Sequence, residues 1–152
     1  MNTSYDITAT FVHTVEAEAE DAHRLLGQVD PMRSLADRLS ALGLEDRAIW
    51  CRQGELAHTL MWRFGPDAGH ARIDWQLQVD TDGAGRTTVA LDVRARGSDP
   101  EARVRVLRAW LLVEELSRSH AERLARMVED YAEEEPAAPV VRLPAVAVGM
   151  GF

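Results

Sequence analysis

The chain has 152 residues, 46% of them hydrophobic and 28% charged, and a formal net charge of −8. That length suits one domain that builds its own core without metals or disulfides, and the negative balance repels phosphate backbones and acidic membrane surfaces, so nucleic acid is not expected as a partner. Neither a membrane span nor a secretory signal is expected, because no apolar run is long enough to span and residues 1–6 do not lead from basic to apolar. Cys51 is the sole cysteine, which excludes an internal disulfide and leads to an expected cytoplasmic location. All 17 basic residues are arginine. Without a lysine amine, Schiff-base, pyridoxal-phosphate and phosphate-loop chemistry are excluded.

Residues 5–14 read as a strand with Tyr5, Ile7, Ala9, Phe11 and His13 on one face. The acidic residues Glu16, Glu18, Glu20 and Asp21 open a short helix carrying Ala22, Leu25 and Leu26, with Gly27 as its expected end. Asp30-Pro31 is a cap followed by proline at the first helical position, and starts a second helix through Leu35 and Leu39 to near Gly43. Residues 47–52, 55–64, 70–80 and 86–96 then suit β structure, separated by turn signals at Gln53-Gly54, Gly65-Pro66-Asp67 and Asp82-Gly83-Ala84-Gly85. Connections this short predict an antiparallel meander. Alternation puts Ile73, Trp75, Leu77, Val79, Val89, Leu91 and Val93 on a covered face and Asp74, Gln76, Gln78, Asp92 and Arg94 toward water.

Ser98-Asp99-Pro100 repeats the cap-and-proline device and launches a helix over 99–134, about nine turns long. Val106, Trp110, Val113, Leu116, His120, Leu124, Met127, Val128 and Tyr131 fall within an arc of about 120°. A histidine thus stands in the middle of an apolar stripe, while Val104, Leu107 and Leu111 lie on the other side. Pro136, Pro139 and Pro144 forbid further helix, yet Val140, Val141, Leu143, Val146, Val148 and Phe152 keep the end of the chain apolar. The expected organisation is one domain over 1–134 and a proline-punctuated tail over 135–152. The fold class is α+β: an N-terminal strand, two short helices, an antiparallel sheet and a long C-terminal helix packed across it.

This order resembles the helix-grip fold of the START-like (SRPBCC) superfamily, which includes polyketide cyclases, lipid-transfer domains and the birch-pollen-allergen group. Glu18-Ala-Glu-Asp-Ala-His-Arg-Leu-Leu is similar to that family's first-helix pattern. The segment from Trp75 through the Asp82-Gly83 turn to Val93 is similar to its hairpin. The likeness covers roughly residues 5–131 and is carried by structural motifs rather than by a catalytic signature. Five strands are legible where the superfamily usually has seven, so either the sheet is abbreviated or short strands lie between Leu42 and Glu55. His23 stands where relatives often carry tryptophan, and Ala36-Asp37 replaces a second one.

The resemblance implies a hydrophobic cavity between sheet and long helix that takes lipids, polyketides or other apolar molecules. Phe11, His13, Trp62, Trp75, Leu77, Trp110, Val113 and Leu124 are the expected ligand contacts, since aromatic rings bury ligand area and a few polar tips fix its orientation. His120, and secondarily His58, are the candidate proton carriers, because an imidazole titrates near operating pH. The bland alternative for both is a buried histidine satisfied by protein. The histidines lack paired metal-ligand spacing and the acidic clusters Glu114-Glu115 and Glu133-Glu134-Glu135 suit a solvated face, so no metal, cofactor or catalytic carboxylate pair is expected. Three functions stay open: capture of an apolar small molecule, a cyclase or aromatase using a cavity histidine as general acid and base, and a protein-interaction module. The last would recruit a second copy or another protein through the tail or the Val104-Leu107-Leu111 patch.

Overall fold

A computed structural model describes residues 6–42, 47–53, 57–64, 71–81 and 86–134, with backbone alone at 47–53 and 57. In chain order the elements are β1 (Ile7–Val15), α1 (Ala19–Val29), α2 (Pro31–Ser40), β2 (Arg47–Gln53), β3 (Ala57–Phe64), β4 (Ala71–Thr81), β5 (Thr87–Gly97) and α3 (Pro100–Glu134). The strands form one antiparallel sheet in the order β1-β5-β4-β3-β2. Strands β2 to β5 are a meander, and β1 returns to pair with the last strand. Five strands thus stand among the described residues, the same five that are legible in the sequence. Tyr5, Gly43, the three expected turns beyond Gln53, and the tail over 135–152 lie outside the described residues.

Strict alternation gives the sheet one apolar face, as the sequence pattern requires. Ile73, Trp75, Leu77, Val79, Val89, Leu91 and Val93 are all buried, and so are His58, Leu60, Trp62 and Phe64 of β3. Helix α3 rests mainly on β5 and β1, with less contact on β4, while α2 reaches β2 and β3 and α1 reaches β4. On the edge strand β1, Ile7, Ala9, Phe11 and His13 are only half-buried. This layout is the α+β helix-grip arrangement: strand, two short helices, antiparallel sheet and a long helix packed across it.

The helix approaches the sheet closely because its buried side is built from small residues. Ala102, Ala109, Ser117, Ala121 and Ala125 are buried beside Val106, Val113, Leu124 and Val128. Including them widens the buried arc from about 120° to about 180°. Leu116, Met127 and Tyr131 of the expected stripe sit at its margin, partly buried. Ser117 on this side meets Trp75 on the sheet, a small residue opposite a bulky one.

Two local devices fix the helices. Gly27 does not end α1, which continues to Val29 because a lone glycine costs only about 1 kcal/mol inside a helix. The stop is Asp30, whose left-handed backbone (φ 47°, ψ 72°) closes α1. The same residue caps α2, its carboxylate accepting from the Arg33 amide at 3.3 Å, with Pro31 as the first helical residue. Helix α2 ends at Ser40, before the expected Gly43. At α3, Asp99 accepts from the Ala102 amide at 2.8 Å, the expected cap.

Gly97 is where β5 passes closest to α3. Its amide donates to Asp6 at 2.9 Å, and its carbonyl accepts from the Arg103 guanidinium at 3.3 Å. A Cβ added at this position would stand 2.4 Å from the Arg103 amide nitrogen and 2.5 Å from the Ala102 carbonyl carbon. Both are backbone atoms and cannot swing aside. Gly97→Ala is therefore expected to lower the unfolding free energy by about 2–3 kcal/mol in denaturant titration, the cost of forcing the start of α3 off the sheet. An unchanged midpoint would contradict this close approach.

Candidate functional site

The expected ligand contacts separate into core and margin. Trp62, Trp75, Leu77, Val113 and Leu124 are fully buried, Trp110 lies at the edge of the core, and Phe11 and His13 are half-buried on β1. Phe11 lies beneath the Arg118 guanidinium, 5.5 Å from its ring centre, a cation–π contact at the open side of the sheet. Trp75 Nε1 donates to Ser117 Oγ at 2.8 Å, joining sheet to helix inside the core.

Trp62 differs from Trp75 in one respect that matters. Its ring stacks on Phe64 (centroids 4.6 Å apart) and on Trp75 (6.3 Å), forming an aromatic row along β3 and β4. Its Nε1–H is buried and has no hydrogen-bond partner among the described residues. A buried donor without an acceptor costs about 1–3 kcal/mol. Four residues earlier on the same strand face, buried His58 also has a ring nitrogen, Nδ1, without a partner. Burial lowers the His58 pKa; Asp30 opposes the shift and His23 adds to it. Burial thus favours the neutral imidazole.

His120 is held differently. Its Nδ1 lies 3.2 Å from Arg38 Nη1 and its Nε2 lies 3.0 Å from the Pro31 carbonyl oxygen. A guanidinium only donates, so Nδ1 accepts and Nε2 carries the proton that it donates to Pro31. Arg38 reaches on to Ser119 Oγ at 3.2 Å. The ring thus ties α3 to the start and the body of α2, with both nitrogens engaged. Burial drives its pKa down to about 4; the Pro31 bond opposes the shift, while Arg38 and Arg123 add to it.

Between sheet and α3, the described residues Trp75, Leu77, Val113, Ser117 and Leu124 are all buried. Two hollows lined by described residues lie elsewhere. One of about 90 Å³ sits between α2 and α3 beside His120, bounded by Pro31, Ser34, Arg123 and Met127. That is room for a few waters rather than for a ligand. The other, about 490 Å³, lies against the outer face of the sheet over Arg63, Arg72, Asp74, Asp92 and Arg94. Sequence reasoning assigned Asp74, Asp92 and Arg94 to water, and missed both this hollow and the Arg38–His120 tie. The polar Ser117, four residues from both Val113 and Ala121 on the buried side, was a legible signal that the sheet offers a donor there.

No family model matches this sequence, and no curated protein matches it. Among solved structures, the fold is similar to a START superfamily protein from Mycobacterium smegmatis (12% identity, TM-score 0.40, 84% of this chain and 97% of that one). It is also similar to the Zhui aromatase/cyclase from Streptomyces sp. R1128 (13% identity, TM-score 0.39, 89% and 99%) and to a protein from Thermus thermophilus (13%, 0.43, 86% and 100%). The fold assignment itself rests on element order, strand register and packing. No described helix is long and apolar enough to cross a membrane.

The tie at His120 has a consequence for acid stability. The unfolded histidine takes up a proton near 6.5, whereas the folded one resists until about 4. Between these values the unfolded state binds more protons, so stability falls as pH drops through that window and the loss levels off below it. The contribution is about 3 kcal/mol in total. His120→Gln is expected to remove this part of the pH dependence in denaturant titrations run from pH 7 to 4. An NMR titration placing the His120 imidazole near 6.5 would contradict the buried, doubly bonded ring.

Proposed function

We propose that this protein captures a small apolar, ring-bearing molecule against the inner face of β3 and β4. The observation that carries the reading is the unpartnered Trp62 Nε1–H at the centre of the Phe64–Trp62–Trp75 row. An aromatic surface supplies dispersion and desolvation, and the lone donor selects a guest with a carbonyl or hydroxyl oxygen. Of the other expected contacts, Leu77, Val113 and Leu124 furnish the apolar wall, and Phe11, His13 and Trp110 form the margin toward β1.

Trp62 has no accessible surface, so a guest must open space at β3, the part of the sheet under α2 rather than α3. A two-ring guest burying about 200 Å² of apolar area gains about 5 kcal/mol. Satisfying the indole adds about 1–3 kcal/mol. Binding requires that parting α2 from β3 cost less than this sum.

A second reading rests on His58. A neutral imidazole with an unpartnered nitrogen on the same face is able to take a proton from carbon beside a guest's carbonyl and return it to oxygen, the general acid–base step of a cyclase or aromatase. His120 enters that reading as the residue holding α2 against α3, since both of its nitrogens are engaged.

Native mass spectrometry of the purified protein is expected to show a retained apolar guest. A neutral naphthyl ketone fluorophore, 6-propionyl-2-dimethylaminonaphthalene, serves as a direct probe. Its emission is expected to shift to the blue on binding, and Trp62→Phe, which keeps a ring but removes the donor, to weaken the affinity about 5- to 20-fold. Water-like emission at saturating protein would overturn the capture reading. Equal affinity in the variant would remove Trp62 from it.

A further inference from the structure

The outer face of the sheet, which carries no part of the proposed apolar site, holds an arrangement of charge that the fold does not require. Strand register sets Arg63 beside Arg72 and Arg72 beside Arg96, three guanidiniums in one row across β3, β4 and β5. Like charges directly opposite one another destabilise a sheet. The next row carries Met61, Asp74 and Arg94, and the row after it Thr59, Gln76 and Asp92.

The two carboxylates pair along their own strands. Arg72 Nε donates to Asp74 at 2.9 and 3.1 Å, and Arg94 Nε donates to Asp92 at 2.8 Å. Thr10 Oγ1 from β1 donates to Asp92 at 2.8 Å. These acids are about three-quarters buried, with side-chain exposures of 22% for Asp74 and 24% for Asp92. Around them lies the hollow of about 490 Å³, within the size range of small-molecule sites. Three arginines and two aspartates line it, a local balance of about +1 on a chain whose net charge is −8. An anion drawn to this molecule meets its attraction here rather than across the whole surface.

We propose that this hollow binds a small hydroxylated anion, a sugar phosphate or hydroxy acid. The Arg63–Arg72 pair takes the phosphate or carboxylate, for which paired guanidiniums supply forked donors. Asp74, Asp92, Gln76 and Thr59 take the hydroxyls, the acids as acceptors already oriented by their arginines.

Titration of the ¹⁵N-labelled full chain with ribose 5-phosphate tests this, followed on the arginine Nε–H resonances and by calorimetry. Inorganic phosphate supplies the anion without hydroxyls, and ribose the hydroxyls without the anion. Saturable shifts at Arg63, Arg72 and Arg94 are expected with ribose 5-phosphate, at least tenfold weaker binding with phosphate, and none with ribose. Arg63→Gln is expected to weaken binding about tenfold. Should that variant fail to fold, Gln76→Leu is expected to weaken ribose 5-phosphate while leaving phosphate unaffected. Absence of saturable shifts at about 10 mM ribose 5-phosphate, or equal affinity for phosphate alone, overturns the proposal. The fluorophore's binding to the inner face is independent of all these outcomes.

Discussion

The structure depends on how a helix of 35 residues meets the bulky side of a five-stranded sheet. The buried side of the helix carries alanines and a serine among its apolar residues and rests mainly on β5 and β1. Ser117 gives Trp75 its acceptor inside that seam. Everything beyond the reach of α3 is left to α1 and α2, and β3 falls under α2. Trp62, buried with the rest, receives no acceptor there.

The joint between α1 and α2 becomes the centre of the molecule's polar interior. Asp30 ends one helix and caps the next within a single residue, which leaves the Pro31 carbonyl facing α3. His120 fills that opening and draws Arg38 into a second contact. Both nitrogens of this histidine are thereby engaged by protein. His58 lies on the sheet side of the same joint, close enough to feel Asp30 and His23, and keeps a ring nitrogen uncommitted. The two histidines are thus distinguished by their hydrogen bonds more than by their burial.

The sequence pattern contains most of this fold. Alternation over β4 and β5, the Asp-Pro starts of α2 and α3, and the 3.6-residue stripe predict element types, order and the buried face. Gly27 misleads because glycine signals a helix end only when a left-handed residue is needed, and Asp30 supplies that conformation three residues later. The buried width of α3 is less legible: Ala102, Ala109, Ala121 and Ala125 carry too little hydrophobicity to stand out, although they decide how closely helix and sheet approach. The sites are harder still. Which histidine is sealed depends on Arg38 and Pro31, about 80 to 90 positions away in the chain. The outer-face hollow depends on register between strands, and no single strand reveals that Arg63, Arg72 and Arg96 are neighbours.

The central claim is that the Trp62 indole awaits an acceptor that a guest provides. The indole region of a ¹H–¹⁵N spectrum reads this directly, since the chain has four tryptophans and Trp75 is an internal standard already bonded to Ser117. On adding the naphthyl ketone, the Trp62 Nε1–H signal is expected to move downfield into the hydrogen-bonded range while Trp75 stays in place. A guest that binds without moving Trp62, or that moves Trp75 instead, would contradict the account.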